Sequence, residues 1–123
     1  MRVLVVEDNR DTLVTLAAVL RYERYEVMTA RDGVVALEMA KRFPPDVALL
    51  DIGLPGMDGY EVAKALRRQR PEPTTLYIAA VTGYGKPEDK QHAIEAGIDA
   101  HLTKPANPAA IVQLLKEVES KRQ

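Results

Sequence analysis

Five side chains that could do chemistry together occur at four well-separated points of this 123-residue chain: Glu7 with Asp8, Asp51, Thr82 and Lys104. Three carboxylates at one site repel one another, by about 3 kcal/mol per pair at ~5 Å and an effective dielectric of ~20. Lys104 supplies one compensating charge and a divalent cation two more. Carboxylate oxygens are ligands that Mg²⁺ prefers. The set therefore predicts a Mg²⁺ site.

A protein-bound Mg²⁺ usually keeps coordination positions for water and phosphate oxygens, so the natural use of such a site is phosphoryl transfer. Asp51 can then be the nucleophile, because a carboxylate that attacks phosphorus forms a mixed anhydride. Thr82 could donate its hydroxyl to the transferred group. The residues thus predict a covalent phosphoryl site.

Each of these residues has an ordinary interpretation when taken alone. An aspartate after a strand is usually a solvated turn residue or a helix cap, and Thr82 could be a turn hydroxyl. Lys104 could be a solvated surface amine. The chemical hypothesis therefore depends on a fold that brings all five side chains together.

Alternating strands and helices would provide that fold. Five apolar stretches predict buried strands at 3–6, 25–30, 47–50, 76–81 and 98–102. Each is followed by helical spacing of apolar residues, with start signals at Asn9 or Asp11, Asp32, Asp58, Pro87, and Asn107 with Pro108. This order predicts an open α/β fold with a parallel sheet between helices, which binds ligands at the carboxyl ends of its strands. The five polar residues follow those ends.

The overall composition limits the other functions. A content of 46% hydrophobic and 28% charged residues predicts one globular domain over residues 1–123. The 17 basic and 18 acidic residues nearly cancel, which argues against direct nucleic-acid binding. Cys is absent and the first apolar run is too short for a signal peptide or a membrane span. We expect a cytoplasmic protein without membrane insertion.

The set Glu7-Asp8, Asp51, Thr82 and Lys104-Pro105, in this order, resembles the receiver domain of bacterial response regulators in two-component systems. The resemblance covers the entire chain. Its most specific stretch is residues 45–62, Pro-Asp-Val-Ala-Leu-Leu-Asp-Ile-Gly-Leu-Pro-Gly-Met-Asp-Gly-Tyr-Glu-Val, which is similar to the phosphorylation-site strand and loop of that family.

The resemblance implies a flavodoxin-like sheet with strand order 2-1-3-4-5 and five helices. It implies that Asp51 accepts a phosphoryl group from a histidine kinase or histidine phosphotransfer protein, and that a downstream protein target is possible. Asp8, Asp51 and the Gly53 carbonyl would bind Mg²⁺, with Glu7 acting directly or through water. Thr82 and Lys104 would bind the phosphoryl oxygens, and the Lys104-Pro105 bond would be cis. Such a protein is a signalling phosphoacceptor and not an enzyme acting on a separate substrate.

Two further positions concern how phosphorylation is signalled and how long the phosphoryl group lasts. The family's switch residue three places before the lysine is usually Tyr or Phe, and here it is His101, so Thr82 could drive output without an aromatic partner. Tyr84 stands two places after Thr82, where it could shield the phosphoryl group from water. An exposed strand histidine and an ordinary loop tyrosine are the alternative interpretations.

The first helix offers a candidate partner surface. Its core stripe leaves Val14, Ala18 and Tyr22 on another face, and in the resembled family this helix docks on kinase or phosphotransfer helices. Scattered surface apolar residues would look the same.

Three alternatives stay open at this point. A pseudo-receiver would use the fold without phosphorylation. Such a protein would usually lack one of the acidic residues, the threonine or the lysine, and all of them are present here. A haloacid-dehalogenase-type phosphatase needs a second Asp two places after the nucleophile, where Gly53 stands. The receiver could also be free-standing or part of a hybrid histidine kinase.

Overall fold

The computed structural model describes residues 1–53, 58–70, 76–82, 87–104 and 107–121, with the side chains of 87–90 excepted. Strands and helices alternate along these residues. The elements are β1 (Arg2–Val6), α1 (Arg10–Tyr22), β2 (Glu26–Ala30), α2 (Gly33–Arg42), β3 (Val47–Asp51), α3 (Gly59–Gln69), β4 (Tyr77–Thr82), α4 (Pro87–Ala96), β5 (Ala100–Thr103) and α5 (Pro108–Lys121).

The strands form one parallel sheet with the order β2-β1-β3-β4-β5. Helices cover both faces, and for this reason residues 3–6 of β1 and 47–50 of β3 are all apolar instead of alternating. One core cluster includes residues of α2, α3 and α4, and the other includes residues of α1 and α5. The predicted flavodoxin-like α/β fold, including its strand order, is confirmed.

Short polar side chains begin the helices as predicted. At α1, α2 and α3 the capping oxygen accepts the backbone N–H three residues ahead, at 2.9–3.0 Å, which satisfies a donor that the first helical turn leaves unpaired. These pairs are Asn9 with Thr12, Asp32 with Val35, and Asp58 with Glu61. Asn107 caps α5 by accepting the N–H of Ala109 at 2.8 Å.

Three apolar residues predicted to lie in strands lie just outside them: Tyr25, Leu76 and Ile98. Tyr25 is buried, but its N–H bonds the Leu20 carbonyl at the end of α1, so β2 starts one residue later. Ile98 likewise donates to Ala93 and packs at the end of α4, outside β5. Tyr25 and Ile98 pack at helix ends, and in the sequence their apolar side chains look like the first residues of the strands that follow.

Among the described residues, no helix combines the length and the apolar character needed to cross a bilayer.

Candidate functional site

The register of the sheet places the polar residues side by side at one edge. Val6 pairs with Leu50, Asp51 with Val81, and Thr82 with Thr103. The residues at or just after these pairs are Glu7, Asp51, Thr82 and Lys104, from four neighbouring strands. The carboxyl ends of the strands therefore form the site that the sequence predicts.

Asp51 lies at the centre of this edge and is only 5% exposed. Its Oδ1 accepts the N–H of Gly53 at 3.0 Å and the Lys104 amine at 2.8 Å. Burial alone would raise the pKa of Asp51, but hydrogen bonds with Glu7, Lys104 and Gly53 outweigh it and hold that pKa below its ordinary value. Asp51 is therefore ionised at neutral pH, as a nucleophilic carboxylate must be.

Lys104 is held at the site by its backbone as well as its side chain. Its N–H donates to the Thr82 carbonyl at 2.7 Å, and Thr82 is itself buried at the end of β4. Burial opposes the charged amine, but the hydrogen bond with Asp51 and the negative charges of Asp51, Glu7 and Asp8 raise the pKa of Lys104. The amine is a permanent cation beside the Asp51 carboxylate.

Glu7 is the acid that this environment protonates most readily. Burial, followed by its hydrogen bond and charge repulsion with Asp51, raises the pKa of Glu7 to about 7, against the opposing effect of Lys104. Among the residues described, its Oε2 is a buried side-chain oxygen without a hydrogen-bond partner. A buried and unsatisfied carboxylate oxygen of this kind favours a ligand that supplies positive charge.

The acidic cluster, consisting of Glu7, Asp8 and Asp51, meets the requirements of a divalent cation. One oxygen from each carboxylate lies within 4.8 Å of the others. The cluster is rich in hard oxygen donors, and Lys104 balances only one of its charges. The arrangement is suitable for a metal ion of the Mg²⁺ type, and the unpaired oxygen of Glu7 supports the same conclusion.

An open cavity of about 1030 Å³ connects these groups with solvent. Its walls include Asn9, Asp11 and Thr12 of the first helix region and Ile111 of α5. The nearly buried Asp51 is therefore reachable from solvent through the cavity beside α1.

Of the other predicted positions, Gly53 and His101 lie among the described residues, whereas Pro105 and Tyr84 do not. Gly53 is exposed next to Asp51, and His101 is exposed on β5, opposite Ala80. Pro105 with its predicted cis bond, and Tyr84 with its shielding role, lie outside the described residues. The structure thus brings Gly53 to the acidic cluster but leaves His101 on the surface.

Gly59, which the sequence does not single out, packs directly against the end of β3. A Cβ atom on Gly59 would lie 2.7 Å from the Asp51 carbonyl oxygen and 2.6 Å from the Ile52 Cα. The first turn of α3 can approach the end of β3 this closely only with glycine. In the sequence, the glycine directly after the capping residue Asp58 was the available sign of this close approach.

A doubly wound sheet with buried carboxylates, a threonine and a lysine at its carboxyl edge defines a class of phosphoacceptor-type signalling domains. The family model described as response regulator receiver domain matches residues 3–116. The chain belongs to this family, whose members act in two-component signalling.

Named relatives agree with this assignment. The response regulator PleD of Caulobacter vibrioides is 43% identical over 106 residues, which is 85% of this chain but 23% of PleD. The chain therefore spans about a quarter of that relative's length. A receiver-domain structure from Methanospirillum hungatei has a TM-score of 0.90 at 31% identity, covering 98% of this chain and 94% of that chain. The chemotaxis protein CheY4 of Vibrio cholerae has a TM-score of 0.88 at 35% identity, covering 95% and 97%.

Proposed function

We propose that Asp51 is the phosphoacceptor of a phosphorelay, and that its phosphorylation switches a protein-interaction surface. The observation that carries the proposal is the contact of 2.8 Å between Lys104 and an ionised, buried Asp51 within the acidic cluster. A structural carboxylate would be stabilised by the amine alone, without two further carboxylates beside it.

The proposed reaction is transfer from a phosphohistidine of a histidine kinase or histidine phosphotransfer protein. A carboxylate oxygen of Asp51 forms a bond to phosphorus, and the bond from phosphorus to the imidazole nitrogen breaks. The nitrogen keeps the electron pair, so the products are an aspartyl phosphate and a histidine. The charge that moves onto the phosphoryl oxygens is balanced by Lys104, while the Thr82 hydroxyl donates to one of them.

Glu7, Asp8, Asp51 and the Gly53 carbonyl would hold Mg²⁺, with Glu7 binding directly or through water. When bound, the ion supplies positive charge against the phosphoryl oxygens. Lys104 leaves Asp51 when it takes a phosphoryl oxygen, and this exchange of partners at β5 accompanies phosphorylation. Thr82 is the corresponding switch residue on β4, and the exposed His101 is a second candidate on β5.

A partner would dock over α1, beside the cavity. Val14 is 58% exposed and Tyr22 is 86% exposed, and Ala18 lies between them at helical spacing, as predicted. This strip fits the apolar face of a partner helix.

The test is phosphorylation by acetyl phosphate with Mg²⁺, followed by intact-protein mass spectrometry. We expect a hydroxylamine-sensitive adduct of one phosphoryl group on the wild-type protein and none on Asp51→Asn. A folded wild-type protein without an adduct would instead be a phosphorylation-independent binding module. Transfer from a phosphorylated histidine kinase then tests the physiological donor.

A further inference from the structure

Arg31 follows β2, and its guanidinium reaches the turn where Asp8 leaves β1. Its Nε and Nη2 atoms both donate to the main-chain carbonyl oxygen of Asp8, at 3.4 and 3.2 Å. These two N–H groups lie on the same edge of a planar guanidinium, so one oxygen can accept both. The contact ties the ends of two neighbouring strands together.

The backbone is fixed on both sides of Arg31. The N–H of Glu7 donates to the Ala30 carbonyl at 3.0 Å, which extends the pairing of β1 and β2 to the edge of the sheet. On the other side, Asp32 caps α2 by accepting the N–H of Val35 at 2.9 Å. Because Arg31 alone separates these two anchored residues, its side chain starts from a defined place beside the acidic cluster.

Asp8 is the most exposed carboxylate of the acidic cluster. Glu7 and Asp51 are at most 9% exposed, whereas Asp8 is only partly covered. Within the described ranges, the Asp8 side chain forms a hydrogen bond with Glu7. The direction of its carboxylate therefore depends on that bond and on the backbone of its turn, which is the part that Arg31 holds.

We propose that Arg31 is a positioning residue for the metal site, which fixes the Asp8 turn so that the Asp8 carboxylate stays directed toward Glu7 and Asp51. The inference rests on the proposed function, because it takes the acidic cluster to bind Mg²⁺. Groups that orient metal ligands without touching the metal commonly influence metal affinity by about 10–100-fold. Arg31 is exposed, so its effect lies at or below the lower end of that range.

The charge of Arg31 and its hydrogen bonds act on a dication with opposite signs. A nearby guanidinium repels Mg²⁺, so loss of the charge alone would tighten binding. Loss of the hydrogen bonds frees the Asp8 turn and weakens binding. A lysine keeps the positive charge but cannot donate from a planar pair of N–H groups. The sign of the change in affinity therefore separates positioning from simple electrostatics.

The experiment is calorimetric titration of Mg²⁺ into the wild-type protein and the variants Arg31→Ala, Arg31→Lys and Arg42→Ala. Arg42 is an exposed arginine at the far end of α2 and serves as the matched control. We expect the Mg²⁺ Kd to rise about threefold to tenfold in both Arg31 variants and to stay unchanged in Arg42→Ala. Phosphorylation of Arg31→Ala by acetyl phosphate should need more Mg²⁺ for half its maximal rate, yet reach the wild-type rate at saturation.

Unchanged or tighter Mg²⁺ binding in Arg31→Ala overturns the inference, as does an Arg31→Lys variant equal to wild type. Weaker binding accompanied by a lower Tm in EDTA also overturns it, because a general loosening of the fold would then explain the loss. A wild-type protein that does not bind Mg²⁺ overturns the proposed metal site itself. That result is distinct from normal wild-type binding that the Arg31 variants leave unaffected.

Discussion

The Nζ atom of Lys104 lies 2.8 Å from Oδ1 of Asp51, although the two residues are 53 positions apart in the sequence. The Asp51 side chain is 6% exposed and that of Lys104 is 40% exposed, so the pair joins a buried anion to an amine that still reaches solvent. Such an amine can exchange its partner without leaving the site. In the proposed reaction, the contact keeps Asp51 ionised before phosphorylation and places an amine where it can bind the phosphoryl group afterwards.

Replacing Lys104 with Ala should impair phosphorylation far more than folding. The variant leaves three carboxylates without their nearest cation and removes a donor to the transferred group. We expect phosphorylation by acetyl phosphate to slow by about 100-fold or more, as for loss of one preorganised donor in other active sites. Initial rates from mass spectrometry would measure this. Lys116→Ala, which removes an exposed lysine on α5, is the control and should behave as wild type.

Gly59→Ala should destabilise the fold where α3 packs against the end of β3. The new Cβ would contact the Ile52 Cα at 2.6 Å and the Asp51 carbonyl oxygen at 2.7 Å, and backbone atoms cannot move aside as a flexible side chain can. The steric cost exceeds the roughly 1 kcal/mol that Ala gains over Gly in a helix. We expect the free energy of unfolding in urea to fall by about 2 kcal/mol.

Gly53→Ala is the matched control for this prediction, because its nearest contact would be Asp51 Oδ1 at an ordinary 3.7 Å. Its free energy of unfolding should change by less than about 1 kcal/mol. Equal losses in the two variants would contradict the steric explanation.

The order of elements and the membership of the site could be predicted because both follow from local patterns. The interiors of the buried strands are apolar, and the polar residues Asp51 and Thr82 end two of them. Parallel strands place their carboxyl ends at one edge, so the neighbours of Asp51 follow from topology. The helix caps Asn9 and Asp58 could be identified for the same reason.

Contacts that depend on side-chain direction could not be predicted. Arg31 reaches Asp8 and Arg67 reaches Asp99 across 23 and 32 positions, and a single arginine in a polar segment gives no sign of its partner. Apolar residues at helix ends caused the errors in strand bounds, because burial of Tyr25 and Ile98 resembles a strand pattern in sequence.

Arg67→Ala should destabilise the fold by removing hydrogen bonds at the start of β4 and β5, the end of the sheet opposite the acidic cluster. The Arg67 guanidinium donates to the Leu76 carbonyl at 2.9 Å, the Gly97 carbonyl at 2.7 Å and Asp99 Oδ2 at 2.9 Å. Its side chain is only 17% exposed, so the variant leaves several acceptors poorly solvated. We expect the free energy of unfolding to fall by about 2 kcal/mol or more.

Arg68→Ala on the same helix is the control, because Arg68 is exposed and loss of its charge should change stability by about 0.5 kcal/mol or less. Mg²⁺ affinity should be unaffected in both variants. A metal-binding defect in Arg67→Ala would show that the network supports the site as well as the fold.

Without metal, the stability of the protein should fall as the pH rises from about 4.5 to about 7. Burial and Asp51 raise the pKa of Glu7 from 4.5 to about 7, so in this range the folded state binds a proton that the unfolded state has lost. The stabilisation is complete below the unfolded pKa and disappears as the pH passes the folded pKa. We expect a loss of about 1–2 kcal/mol, less than the full shift implies, because the site is open to water. Urea unfolding in EDTA at several pH values measures it.

Glu7→Gln tests the assignment of this effect, because an amide keeps the shape of the protonated carboxyl and does not titrate. The variant should lose most of the decrease between pH 4.5 and 7. Asp51 acts in the opposite direction at lower pH: its pKa is below the ordinary 3.8, so its contribution is lost as the pH falls through that lower value. The two carboxyls therefore act in separate pH ranges. An unchanged slope above pH 4.5 in Glu7→Gln would assign the proton to another group and remove the basis for a protonated Glu7.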